Sequence, residues 1–303
     1  MGCGHNAAFA TFVSGDKYVP GAICLLRSLR ATGSQCTVDL VYDDRTPSLN
    51  LSAHALGTLK RVYGAEHIFS LAHIMANHPL SAKDMDYSTP RRNRHAGRAL
   101  FERGVEHMAT HSKLWLWGMP RSRVVILDSD MVALAPLDWM LTYELGRHQM
   151  AAAAWGGGSR SFFNSGLLII EPNPNLLANL TRLAHVARSG VAPEGHNSTI
   201  PKVGEKLFGD QSLLNWYFRS HWKPLPSSMM ALAPAKAGVV PAKLRGMDPA
   251  VIHWLSEPKP WSRAVLKPEG DVVGQKRGVN AQAQLWWELC RDRLDGVPPA
   301  SFG

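Results

Sequence analysis

No stretch of the 303-residue chain approaches the roughly 18 consecutive apolar residues that a membrane-spanning helix requires. The first residues, MGCGHNAAFATFV, contain no basic region followed by a sustained apolar segment, so a soluble, non-secreted protein is expected. Cysteine is scarce. Cys3, Cys24, Cys36 and Cys290 show neither metal-ligand spacing nor a disulfide framework, which suits a reducing compartment and a cytoplasmic protein. No internal repeat, low-complexity tract or clear linker divides the chain. Asn50, Asn179 and Asn197 stand in glycosylation-type triplets, which a chain of this length holds by chance. Gly2 and Cys3 are not read as an acylation signal, because position 6 is Asn6 where Ser or Thr is favoured.

The formal charge of +9 admits nucleic acid, an anionic membrane surface or an acidic small substrate. The densest basic run, RRNRHAGR from Arg91 to Arg98, has no interleaved aromatic residues of the kind that stack on bases, so no nucleic-acid partner is expected. That run reads either as a solvated loop or as a lid over an anionic ligand.

With 45% apolar residues the chain can bury a substantial core. Its first half alternates short apolar runs with helical patterns: AAFATFV as strand, PGAICLLRSLRAT as helix, CTVDLVYD as strand, NLSAHALGTLKRVYG as helix, then HIFSL. Ile23, Leu26 and Leu29 recur every three residues on one helix face, and Pro20 suits the first turn of that helix. Such alternation predicts a mainly parallel sheet flanked by helices. A further helix is expected at about Ala99 to Gly118, carrying Lys113, Leu114 and Trp117. Then come MAAAAW, a glycine turn at Gly156 to Gly158, FFNSGLLIIEP, a helix from Asn175 to Arg188, and a Gly/Pro/Asn-rich loop to Glu205. GDQSLLNWYF reads as a short helix, AVIHWL as a late strand and AQAQLWWELCRDRL as a closing helix.

Within RVVILDSDMVALAPLD, four apolar residues from Val124 to Leu127 form a candidate core strand that ends in Asp128 and Asp130. Ligands of open α/β sheets bind at the carboxyl ends of strands, where this pair is expected. Two close carboxylates repel unless a cation, a shared proton or a cationic side chain compensates them. A divalent cation with a preference for oxygen, Mg²⁺ or Mn²⁺, does so best. Capping or turn aspartates are the structural alternative. DSDMV also satisfies the Asp-x-Asp-x-Thr/Val pattern of haloacid-dehalogenase-like phosphatases, in which the first Asp is a nucleophile. That pattern normally opens its chain and needs a later acidic pair, whereas GDQSL around Asp210 lacks the second acid.

Five blocks in order, AFATFVSGDKYVPGAICLLRSL, HSKLWLWGMPRSRVVILDSDMVAL, FFNSGLLIIEP, GDQSLLNWYF and VIHWLSEPKPW, cover Ala8 to Trp261. Together they resemble the glycogenin and galactinol synthase family of retaining, nucleotide-sugar-dependent glycosyltransferases, glycosyltransferase family 8. The resemblance implies an α/β fold of GT-A (Rossmann-like) type and a UDP-sugar donor. It also implies a metal site formed by Asp128, Asp130 and His253, holding Mn²⁺ or Mg²⁺. Chemistry agrees, since a diphosphate leaving group assisted by a metal needs no protonating side chain. A glycosidase would instead need one protonated carboxyl and a pair flanking the sugar.

Carried over by position, Lys259 of KPW resembles the lysine that neutralises the diphosphate, a role that suits a flexible ammonium. Ser256 stands where the family has a glycine whose N–H serves a phosphate. Thr11, Val13, Ser14, Gly15 and Tyr18 match the nucleoside pocket, with Tyr18 as the stacking ring and Gly15 where the family usually has Asn. Lys113 resembles the helix lysine that reaches donor hydroxyls or phosphate. Asn164, Ser165, Asp210 and Gln211 resemble the sugar-binding wall, where a carboxylate beside the anomeric carbon stabilises developing positive charge.

The expectation is therefore one glycosyltransferase domain over residues 1–303, with a nucleotide-sugar part at about 7–135, an acceptor and sugar part at about 136–262, and a C-terminal helix at about 280–294. Its activity would be transfer of glucose or galactose from a UDP-sugar to a separate sugar, polyol or protein acceptor. No tyrosine follows Tyr217, so self-glucosylation of the glycogenin type is not expected. The alternative is a degenerate, non-catalytic nucleotide-sugar- or protein-binding member of the same fold.

Overall fold

A computed structural model describes residues 2–78, 110–154, 162–189, 209–219, 221–233, 249–255, 259–262 and 277–290. The first half follows the alternation of its sequence. Strand β1 (Ala7–Val13) leads through helix α1 (Val19–Ala31) to β2 (Val38–Tyr42), then through α2 (Ala53–Tyr63) to β3 (Ile68–Ser70) and the short α3 (Leu71–Ala76). Pro20 sits in the first turn of α1, and Ser52 caps α2 by accepting a hydrogen bond from the Ala55 N–H. β4 (Arg123–Leu127) and the short β5 (Met131–Ala133) flank the acidic triplet. After them come β6 (Met150–Ala154), β7 (Phe163–Ile170), α4 (Pro174–Ser189), α5 (Gly209–Phe218), β8 (Trp222–Leu225), β9 (Met230–Leu232), β10 (Val251–His253) and α6 (Arg277–Cys290).

Among the described residues, seven strands form one sheet in the order β3-β2-β1-β4-β7-β6-β8, and β5-β10-β9 form a second, smaller sheet. Both β4–β7 and β7–β6 are antiparallel pairings, whereas the other pairings of the large sheet are parallel, so β7 alone runs against its neighbours. The expected α/β fold with a mainly parallel sheet is thus what forms. Continuous burial explains the unbroken apolar strands. Val125 and Leu127 pack on the α1 and α2 side, while Val124 and Ile126 pack on the side of α3, α4 and α5.

Two expectations are corrected. All four cysteines are paired, Cys3 with Cys36 and Cys24 with Cys290, at Cα separations of 5.2 and 5.6 Å. The pairing joins positions 33 and 266 residues apart in sequence, a separation that spacing rules do not detect. Second, Thr110–Gly118, the described part of the helix expected over Ala99 to Gly118, is a 3₁₀ helix. Its tighter winding accompanies complete burial of Leu114, Trp115, Leu116 and Trp117. The basic run Arg91 to Arg98, the glycine turn at Gly156 to Gly158, the loop to Glu205 and Ser256 lie outside the described residues. Among the described residues, no helix is long and apolar enough to cross a membrane.

Candidate active site

The acidic triplet bridges the two sheets. The Asp128 N–H donates to Gly166 O of β7 (2.9 Å), and the Trp254 N–H, just past β10, donates to Asp130 O (3.0 Å). β10 pairs with β5 in the register His253 to Met131, which sets the imidazole beside the acids. The opposed direction of β7 does the rest. Its first residues, Asn164 and Ser165, lie next to the C-terminal end of β4, with Leu127 opposite Leu167. Metal-type ligands and amide-bearing side chains are therefore neighbours through strand direction, although they are 34 or more positions apart in sequence.

The ligating atoms of Asp128, Asp130 and His253 all lie within 4.8 Å of one another. His253 Nε2 is 3.0 Å from Asp130 Oδ1 and 3.7 Å from Asp128 Oδ2. Lys259 Nζ donates to Asp130 Oδ2 (2.8 Å) and to Trp254 O (2.9 Å). On the other side, Lys113 Nζ donates to Asp128 Oδ1 (2.5 Å) and Ser165 O (2.6 Å) and lies 3.4 Å from Asp210 Oδ2. Three carboxylates thus share two ammonium groups in a mostly buried setting. Burial opposes ionisation of Asp130, but His253 and Lys259 outweigh it and hold the carboxyl below its ordinary range. For Asp128 burial prevails, reinforced by Asp130 and Asp210, and its pKa is raised. Burial also works against the Lys113 ammonium, yet Asp128 and Asp210 overcome it and raise its pKa.

The three carboxylates, Lys113 and His253 open on a cleft of about 450 Å³, whose wall also includes Ser14, Tyr18, Asn164, Ser165 and Gln211, while Lys259 is buried behind Asp130. Gln211 Oε1 accepts from Asn164 Nδ2 (3.0 Å) and from the Ser165 N–H (3.2 Å), so the α5 and β7 parts of the wall form one unit. Lys259 Nζ lies 5.9 Å from the centre of the Tyr18 ring. Thr11 and Val13, by contrast, are fully buried and do not line the cleft, and among the described residues Thr11 Oγ1 has no hydrogen-bond partner. Strand alternation brings Phe12 to the wall beside the expected Ser14, a period-2 signal that the sequence already contained. Gly15 has φ 83° and ψ 164°, a backbone conformation almost confined to glycine, so glycine at this position is what the turn requires.

Sequence reasoning passed over several further residues. Ser129, Ser212 and Leu255 line the cleft. Asn215 Oδ1 accepts from the Phe163 N–H (2.8 Å), and its Nδ2 donates to Phe163 O and Gln211 O (both 2.8 Å), which pins α5 to β7. Its place four residues after Gln211, on the same helix face, was the available signal. Gly166 matters for space. A Cβ there would lie 2.6 Å from His253 Cε1 and 2.4 Å from Met131 Cε, so only glycine lets the imidazole approach β7.

Such a sheet, with a ligand cleft and acidic pair at the end of its fourth strand, has the architecture of the GT-A glycosyltransferases. The crystal structure of galactosyltransferase LgtC in complex with donor and acceptor sugar analogs matches with a TM-score of 0.57 at 16% identity, over 96% of this chain and 98% of that one. This likeness is one of fold. The chain belongs to glycosyl transferase family 8, whose sequence pattern matches residues 11–264. Among relatives, glycogenin of Neurospora crassa is 24% identical over 283 residues, covering 93% of this chain and 34% of its own length. Galactinol synthase 1 of Solanum lycopersicum is 23% identical over 208 residues, covering 61% of this chain and 58% of its own length. The chain therefore spans about a third of the first relative's length and less than two thirds of the second's.

Proposed function

We propose that this chain is a metal-dependent glycosyltransferase that moves a hexosyl group, glucose or galactose, from a UDP-sugar to a separate sugar, polyol or protein acceptor, with retention of the α configuration. The observation that carries the reading is the convergence of Asp128, Asp130 and His253 on one point, flanked by Lys113 and Lys259, at the margin of the cleft. Carboxylate oxygens with one imidazole nitrogen suit Mn²⁺ or Mg²⁺, whose charge relieves the mutual repulsion of the close carboxylates. When bound, the ion supplies Lewis-acid assistance to departure of the diphosphate.

The chain's own groups divide the remaining tasks. Lys259 holds the diphosphate by charge, while Tyr18 and the backbone around Ser14 hold the base. Asn164, Ser165 and Gln211 present donors and acceptors to the sugar hydroxyls. Asp210 stands where positive charge develops on the anomeric carbon, and Lys113 keeps both Asp210 and Asp128 in place. The bond from the anomeric carbon to the diphosphate oxygen breaks, its electron pair leaving with UDP. The acceptor oxygen forms the new bond and releases its proton. The nucleotide part, about 7–135, and the sugar and acceptor part, about 136–262, meet at this cleft in our reading.

The glycine-specific geometry of Gly15 removes one ground for a degenerate, non-catalytic member, and family membership leaves the phosphatase reading of DSDMV unsupported. Two cystines lead us to place its action in an oxidising compartment, rather than in the cytoplasm that cysteine scarcity suggested. The test is turnover of a panel of nucleotide sugars with Mn²⁺. Hydrolysis or transfer of a UDP-hexose supports the reading. UDP binding without turnover of any donor would make the chain a binding member.

A further inference from the structure

Helix α6 lies beyond residue 264, where the family's pattern ends, yet its side chains pack on the turn that follows Lys259. Trp287 Nε1 donates to Pro260 O (3.2 Å), the carbonyl immediately after Lys259. The Trp286 ring, fully buried, packs at 5.0 Å from both Trp261 and Trp287. Trp261 Nε1 in turn donates to Lys17 O (2.6 Å), next to Tyr18. Trp261 also fits so closely against α1 that a Cβ on Gly21 would lie 2.6 Å from its ring. At the far end of α6, Cys290 is tied to Cys24 of α1. The turn from Lys259 to Ser262, closed by the Ser262 N–H on Lys259 O (2.9 Å), is thus clasped between α1 and α6.

We propose that α6 is a positioning element of the donor site: Trp286 and Trp287, held by the Cys24–Cys290 cystine, fix the Lys259–Ser262 turn and so aim the Lys259 ammonium at the donor diphosphate beside Asp130. The inference rests on the proposed role of Lys259. Its physical content is preorganisation. An ammonium on a four-carbon stem loses much conformational freedom when it binds phosphate, and a turn fixed in advance lowers that cost. Such a brace acts on donor affinity and leaves the reaction at the anomeric carbon alone.

The experiment uses the full chain with three variants: Trp287→Ala, Trp287→Phe, and the double replacement Cys24→Ser with Cys290→Ser. Unfolding curves confirm that each is folded. Hydrogen exchange of the peptide covering 259–262 is measured without ligand, UDP affinity is measured with Mn²⁺, and KM is separated from kcat for the donor that turns over. For Trp287→Ala we expect faster exchange at 259–262 and a KM and UDP dissociation constant raised about five- to tenfold, with kcat within about twofold. Trp287→Phe keeps the ring and loses the N–H, so it falls between Trp287→Ala and the wild type. The double cysteine variant shifts in the same direction as Trp287→Ala. Unchanged exchange in Trp287→Ala, or faster exchange with unaltered UDP binding, overturns the proposal, as does a loss confined to kcat. If the wild type binds no UDP, the donor reading falls. Exchange alone then reports whether α6 holds the turn.

Discussion

Opposite ends of the large sheet each gather buried acids and cations, and they resolve the charge in different ways. At the amino end of β2, Asp39 is fully buried and receives two bonds from Arg121, from Nε at 2.7 Å and Nη2 at 2.9 Å, with His67 Nδ1 at 3.2 Å. Arg121 also reaches Asn6 Oδ1 (3.2 Å). A planar fork meets one carboxylate, and the account closes within the protein. At the carboxyl end, Asp128, Asp130 and Asp210 share two lysine ammonium groups, with His253 between the first two. Both clusters use the same kinds of residue. The balanced one ties strands together, whereas the other gathers three carboxylates beside the cleft, the arrangement on which the proposed metal site rests.

That contrast can be broken at either end. The largest effect is expected for Asp130→Asn, which should lower transfer by about a thousandfold, roughly 4 kcal/mol of transition-state stabilisation, with Mn²⁺-dependent UDP binding lost and the fold retained. Donor turnover and calorimetry report it. Full activity of the folded variant in metal-depleted buffer would remove the metal from the mechanism. At the balanced end, Arg121→Met leaves the buried Asp39 carboxylate with His67 alone beside it, and urea unfolding should show a loss of about 3 kcal/mol. Its folded fraction should bind UDP and Mn²⁺ as the wild type does. A variant as stable as the wild type would show that this pair contributes nothing to cohesion.

Gly166→Ala sharpens the comparison without changing any charge. Its methyl group displaces the His253 ring, so Mn²⁺ affinity should fall about 10- to 100-fold, read by metal titration, with little change in stability at the Asp39 end. Unaltered metal affinity would show that His253 is not a ligand. A redox prediction follows from the cystines: denatured protein prepared without reductant should show no free thiol, and each measured thiol would count against a pairing. The smallest effect is expected from incubation with UDP-glucose and Mn²⁺, where intact mass should show no ladder of hexose additions. Tyr217 packs edge-on at 4.9 Å against the buried Phe218, a place poorly suited to a presented acceptor hydroxyl. A ladder that disappears in Tyr217→Phe would contradict the separate acceptor.

Periodicity made the first half of the fold readable. The stretches of β1, α1, β2, α2 and β4 each bury a face that local pattern alone predicts, and the acidic pair stands where strand-end chemistry expects it. Strand direction was less accessible. An apolar run such as FNSGLLII announces burial but carries no sign of which way it runs, so the meeting of Asn164 with Asp128 could be anticipated only by resemblance. The cysteines failed for a related reason, because pairing across 266 residues is a property of three-dimensional proximity. Along β1 the block match carried Thr11, Val13 and Ser14 together, while simple alternation would have set Phe12 beside Ser14.

The reversed course of β7 has a consequence for how the pocket comes to exist during folding. Its hydrogen-bond ladder with β4 fixes the two halves of the cleft against each other, Leu127 opposite Leu167. A slip of one residue would turn Asn164 to the opposite face of the sheet, and a slip of two would carry it about 7 Å along the strand, beyond Gln211. Accuracy of substrate recognition is therefore inherited from accuracy of strand alignment. A misaligned molecule could keep nearly all its apolar burial and still lack the wall that Asn164 and Gln211 form together.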